Sequence, residues 1–332
     1  MRVNSIFLLI LISHFLYILY GLYIYDRFST LGDTFRYLNQ DIFFSWEVLF
    51  FSTRFTEFFG SIVGLLPHVI EQFPTLILST TSVFYLFKTL KDLNFIRNDN
   101  DIVIFLFVIM SPTFAMYSSV YGKEAFIAAS SCILISSIVK YSAKAKLNVF
   151  LLILAIFIMA IVKVQYLIPF ILLAIVVYIF KISKNNSTAI LFLFLLSLTG
   201  ISIFIYIYDF IDSTSLTLHN HFDTQTSRVT RDNPFKDSGD FISYMPIGLP
   251  LSFIGLTITE IINDPFKTIF LLEGVLLFFI LIAFPFIKMF LKFPRVLLPN
   301  AIMIVTSIFM VLIVLYPLGV FNSGSLCIKM IM

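Results

Sequence analysis

Residues 1–25 read MRVNSIFLLILISHFLYILYGLYIY. No Asp, Glu, Lys or Arg stands between Arg2 and Asp26. The apolar run matches the roughly 20 residues that a helix needs to cross a bilayer. It exceeds the roughly 7–15 residues of a signal-peptide core, and no small-x-small cleavage site follows it. The stretch therefore reads as a first transmembrane helix, and that reading decides the fold class. The rest of the chain agrees: of 332 residues, 59% are hydrophobic and 12% charged, where soluble domains carry roughly 25% charge. Mean hydropathy is +1.00.

Working outward from that helix, apolar runs of spanning length recur. They predict about nine crossings, at 5–25, 69–88, 101–118, 124–140, 148–162, 165–181, 188–208, 268–287 and 297–317. The runs lack the alternation of a membrane barrel. The expectation is an all-α, polytopic integral membrane protein, with residues 1–332 forming a single membrane domain. The segment 42–66 is amphipathic, with Trp46, Glu47, Arg54 and Glu57 among Phe residues, and is expected to lie in the interface. The segment 243–267 is apolar but interrupted by Pro246, Gly248, Pro250 and Gly255, and is expected to be re-entrant or interfacial.

Basic residues set the orientation. With the N-terminus in the cytoplasm, the inner connections carry Arg2, Lys88, Lys91, Arg97, Lys140, Lys144, Lys146, Lys181, Lys184, Lys288, Lys292 and Arg295. The acidic residues on that side are Asp92, Asp99 and Asp101. The polar stretch 209–246, DFIDSTSLTLHNHFDTQTSRVTRDNPFKDSGDFISYMP, then falls outside as one large periplasmic loop. The net charge of +3 gives no reason to expect a nucleic acid. The two cysteines, Cys132 and Cys327, have no ligand-like spacing, so neither a zinc site nor a disulfide is expected.

This topology gathers the unusual polar residues on the outer side. Asp33 and Arg36 follow the first helix, spaced to share a helical face. Lys123 and Glu124 lie at or near membrane depth, where ionisable groups tend to face a cavity or a partner. Lys163 and Gln165 occupy a connection too short to need a lysine for solubility. The alternatives are a surface ion pair for Asp33 and Arg36, a headgroup contact for Lys123, and snorkelling for Lys163. In the polar stretch, Arg228 and Arg231 suit bidentate recognition of phosphate or carboxylate. His221 could exchange a proton, while His219 and His221, two apart, would need a strand or turn to chelate a metal. Asn322 sits in a polar lip near the C-terminus. No P-loop, dinucleotide fingerprint, HExxH or GxSxG motif is present. Scarce charge within the helices speaks against an ion-coupled transporter.

Five motifs follow in order: GDTFRY (32–37), SPTFAMYSSVYGKEA (111–125), VKVQYLIPF (162–170), LPLSFIGLTITEIINDPF (249–266) with LLEG (271–274), and FNSGS (321–325). In this order the chain resembles the O-antigen polymerase-like membrane proteins of bacterial polysaccharide clusters, which are similar in overall plan to GT-C glycosyltransferases. The resemblance implies a multi-pass bacterial inner-membrane enzyme without cofactor or metal. Its activity would be to join undecaprenyl-diphosphate-linked oligosaccharide repeats on the periplasmic face. It also implies membrane lipid as surroundings, and a chain-length regulator and a flippase as candidate partners. Asp33 would be the catalytic acid or base. Arg228 and Arg231 would stabilise the leaving diphosphate, and Arg36, Lys123, Lys163, Gln165, His221 and Asn322 would bind substrate. Arg228 and Gly239 reproduce the family's spacing of arginine, ten residues, glycine. LCIK stands after FNSGS where relatives often carry an arginine. A single-sugar GT-C-type transferase and a non-enzymatic flippase are the alternative readings.

Overall fold

The computed structural model describes residues 3–25, 34–40, 42–183, 186–223, 235, 237–254, 262 and 268–280. Among them every regular element is helical. The chain divides into two units, residues 1–171 and residues 172–330.

In the first unit, the opening apolar run forms α1 (Val3–Tyr23). It is followed by α2 (Thr34–Leu38), α3 (Ser52–Val63), α4 (Phe73–Asp92), α5 (Asp99–Ile109), α6 (Pro112–Ser119), α7 (Lys123–Ser142) and α8 (Val149–Lys163). Ile6 and Ile10, one turn apart on α1, pack with Val83 and Phe87 of α4, Phe114 of α6 and Ala128 and Cys132 of α7. Small residues let α4 and α7 approach. Thr75, Ser79 and Thr80 on α4 and Ala125, Ala129, Ser130 and Ser136 on α7 are all buried, a pattern that substitutes close backbone packing for bulk. Their hydroxyls bond to their own helices: Thr80 donates to the Leu76 carbonyl at 2.7 Å and Ser136 to the Cys132 carbonyl at 2.7 Å. Those two hydroxyls are thereby satisfied without water.

Helix boundaries follow local chemistry. A capping box starts α5: Asp101 N donates to Asn98 Oδ1 at 2.8 Å, and Asn98 N donates to Asp101 Oδ2 at 3.2 Å. The expected crossing at 101–118 is broken. Ser111 is extended at φ −59°, ψ 140°, because a residue before proline is driven out of the helical region. Pro112 then opens α6, which is bent by 59° from α5.

Among the described residues, three helical stretches are long and apolar enough to cross a bilayer: Val3–Tyr23, Lys123–Ser142 and the 34-residue run Val149–Ile182. The bent α5–α6 pair raises the number to four if it is one broken span. The run Val149–Ile182 comprises α8, a 3-10 turn at Val164–Tyr166 and α9 (Leu167–Ile182), with the backbone opened to φ −159°, ψ 85° at Lys163. Apolar side chains such as Phe150, Ile153 and Phe157 of α8 are exposed, as lipid-facing residues are. The chain is an all-helical membrane protein among its described residues.

In the second unit, α10 (Asn186–Tyr206) occupies the run expected at 188–208. After it come α11 (Tyr208–Asp223), α12 (Asp240–Ser243), α13 (Met245–Ile254) and a helix over Thr268–Phe278. The polar stretch 209–246 thus begins as a helix rather than as a loop. The reason lies in its spacing: Asp212 and Ser215, three apart, are buried with Ile211 half-buried beside them, so a polar-looking segment still presents one packed face. The expected span at 297–317 lies outside the described residues.

Candidate functional site

The polar residues of the first unit converge where α2 crosses α3. Gly60 and Gly64, one turn apart on α3, permit the crossing. A Cβ at Gly60 would overlap the Tyr37 carbonyl oxygen, and one at Gly64 would overlap that of Leu38. Tyr121, buried between α6 and α7, anchors the junction. Its hydroxyl donates to the Thr56 carbonyl at 2.6 Å, and its backbone N–H donates to Gln72 Oε1 at 2.6 Å. Burial pushes the Tyr121 hydroxyl well above its usual range, so it stays a donor. Thr75 joins the same knot by donating to the Ser119 carbonyl at 2.8 Å.

Cations surround this junction. Glu57, 8% exposed, splits its carboxylate between two guanidinium groups. Arg36 Nε lies 3.7 Å from Oε1, and Arg54 Nη1 lies 3.9 Å from Oε2. Arg54 also lies 4.0 Å from Glu47. Both arginines keep about half of their side chains exposed. Lys123 Nζ donates to Thr53 Oγ1 at 2.9 Å and to Ser52 Oγ at 3.2 Å. Arg36 and Lys123 meet at one aromatic ring, lying 5.1 Å and 5.6 Å from the Tyr37 centroid. Ser52 and Thr53 open α3, whose N-cap residue Phe51 supplies no side-chain cap. First-turn N–H groups therefore add to the positive character of this end. Lys163 Nζ lies 3.6 Å from Glu124 Oε1, which ties the end of α8 to the start of α7.

A second acid pair lies alongside. His68 Nδ1 is 3.2 Å from Glu71 Oε1, and Gln72 Nε2 donates to the same oxygen at 3.2 Å. The imidazole stacks on Phe35, with centroids 5.9 Å apart and planes at 15°. In the segment before α3, Phe43, Phe44, Trp46, Phe50 and Phe51 form an exposed aromatic shelf, with the Phe44 and Trp46 rings 6.3 Å apart.

Of the residues singled out from sequence, Arg36 and Lys123 come together around Tyr37, and Lys163 joins through Glu124. Gln165 is half-buried in the turn Val164–Tyr166. Asp33, Arg228, Arg231 and Asn322 lie outside the described residues. His221 falls on α11. A helix, not a strand or turn, runs through His219 and His221. Among the described residues no group of three or more His, Cys, Asp or Glu could hold a metal.

Sequence reasoning missed the roles of Glu57, Arg54, His68, Glu71, Gln72 and Tyr121. The i,i+3 spacing of Arg54 and Glu57, and of His68 and Glu71, was the available signal. It also missed Asp212, 4% exposed. This carboxylate accepts from Ser238 Oγ at 2.8 Å and from Gly239 N at 3.1 Å. Gly239 takes φ +93°, a left-handed conformation that glycine adopts without strain. No family model, curated protein or solved structure matches the chain.

Proposed function

We propose that the protein is a polysaccharide polymerase of the bacterial inner membrane. It joins undecaprenyl-diphosphate-linked oligosaccharide repeats on the periplasmic face, with its own N-terminus in the cytoplasm. The observation that carries this reading is the convergence of Arg36, Arg54 and Lys123 at the uncapped start of α3. That cluster sits beside an exposed aromatic shelf. Cations on a helix N-terminus attract a diphosphate, and aromatic side chains favour the headgroup level of a bilayer. A substrate with an anionic group between a lipid tail and a sugar matches both features. The order of motifs that resembles O-antigen polymerases supports the same reading.

In glycosyl transfer from a lipid diphosphate, negative charge grows on the leaving group. Preorganised cations stabilise that charge. Arg36, Arg54 and Lys123 fill this role. Lys163 and Gln165 contribute to substrate binding, and Asp33 orients the acceptor hydroxyl.

The test is product analysis. Lipid-linked oligosaccharides from a strain lacking the gene are incubated with the purified protein in vesicles. A ladder of repeat-unit masses is expected. One added sugar mass identifies a single-sugar transferase instead. An unchanged extract excludes both enzymes.

A further inference from the structure

We propose that His68, held by the buried carboxylate of Glu71, is the group that takes the proton from the acceptor sugar hydroxyl. The proposal rests on the glycosyl-transfer reading above and deepens it.

The argument begins with the ring nitrogens. Nδ1 of His68 faces Glu71 Oε1 at 3.2 Å. Glu71 thus holds the ring through Nδ1, and Nε2 is the nitrogen left to meet the acceptor hydroxyl. His68 has 58% of its side chain exposed, while Glu71 has 8%. The proton-accepting nitrogen therefore belongs to the accessible partner, and the orienting carboxylate is shielded. This asymmetry separates the pair from an ordinary surface ion pair, in which both members are solvated.

The carboxylate is itself fixed. Gln72 Nε2 donates to Glu71 Oε1 at 3.2 Å, and Gln72 Oε1 accepts from the Tyr121 backbone N–H at 2.6 Å. Gln72 is fully buried. A chain of contacts thus runs from the rigid junction below α7, through Gln72 and Glu71, to the imidazole. Phe35 stacks on the ring at 5.9 Å and limits its rotation. Phe35 immediately precedes Arg36, so one short helix, α2, contacts both the His68 ring and Glu57. The charged side chain in contact with the ring is Glu71, one turn along the chain.

The step balances as follows. The acceptor hydroxyl oxygen forms a bond to the anomeric carbon of the donor. The bond from that carbon to the diphosphate oxygen breaks, and its electron pair leaves with the lipid diphosphate. The hydroxyl proton passes to His68 Nε2, and the resulting imidazolium is stabilised by Glu71. Glu71 is a positioning residue that acts through His68.

The experiment uses the full-length protein in vesicles with the lipid extract of the gene-deficient strain. For His68→Ala, kcat is expected to fall roughly 100-fold or more, the usual contribution of general-base catalysis. KM should stay within about 2-fold, and added imidazole should restore part of the rate by filling the vacated space. Glu71→Gln, which keeps the side-chain volume, should lower kcat with KM unchanged. Full activity of His68→Ala beside an active wild type overturns the assignment and leaves the polymerase reading standing. Loss of activity that imidazole does not restore also overturns it, because the role is then structural. An inactive wild type removes the polymerase reading and this proposal together.

Discussion

Glu57 shows how one side chain arranges several others. Each of its two oxygens takes one guanidinium, so the arginines stay paired while their outer edges remain open to solvent. With both guanidinium groups half-exposed and at 3.7 Å and 3.9 Å, these pairs contribute little to stability. Their value lies in orientation. Tyr121 carries more of the structural load, because its hydroxyl and its N–H each bond to a buried acceptor across the junction. Tyr121→Phe leaves the Thr56 carbonyl without that donor and is expected to destabilise the fold by about 1–2 kcal/mol, measured by denaturant unfolding in detergent. The same group predicts a pH dependence. Its hydroxyl ordinarily ionises near pH 10.0 and is pushed well upward by burial in the folded state. Its contribution is fully present below that value. It is lost as pH rises beyond it, because the unfolded chain ionises first. The Tyr121→Phe protein should lack that alkaline loss.

At the scale of elements, the α2–α3 crossing depends on glycine. Gly60→Ala forces the Tyr37 backbone away and shifts Arg36 with it. The expected cost is about 1–3 kcal/mol, together with a loss of activity. Gly200 on α10 is the contrast, since a Cβ there would meet nothing within 4 Å. Gly200→Ala should be neutral or stabilising by about 0.5–1 kcal/mol. Thermal unfolding of the two variants in one detergent checks both.

The elements also show what the sequence made readable. Long apolar runs announced α1, α7, α8 and α9, because hydropathy acts locally, whereas the crossing expected at 101–118 ran through Pro112, where the helix breaks. Arg36, Lys123 and Lys163 stood out as ionisable residues bordering apolar segments. Their neighbours did not, because Tyr121 and Thr56 are 65 residues apart and Tyr121 and Gln72 are 49 apart. Such pairings belong to the packing of helices and leave no local pattern. Polar composition hid α11, whose packed face sets Tyr208, Ile211 and Leu216 against Phe235 and Phe241 beside the buried Asp212.

For the molecule as a whole, the exposed aromatic shelf and the helices able to cross a bilayer make the same demand on their surroundings. Trp46 is the only tryptophan and is 74% exposed, so it reports on that shelf directly. In vesicles its fluorescence should shift to shorter wavelength and be quenched by brominated lipid. Quenching by aqueous iodide alone would place the shelf in water.

The account's central claim is that cations at the start of α3 serve the joining of lipid-linked repeats. It is tested most directly by the surface-polysaccharide ladder of a gene-deficient strain carrying the Arg36→Gln, Lys123→Gln double variant at normal protein level. The account predicts that the ladder collapses to single repeat units. A ladder of wild-type length would contradict it.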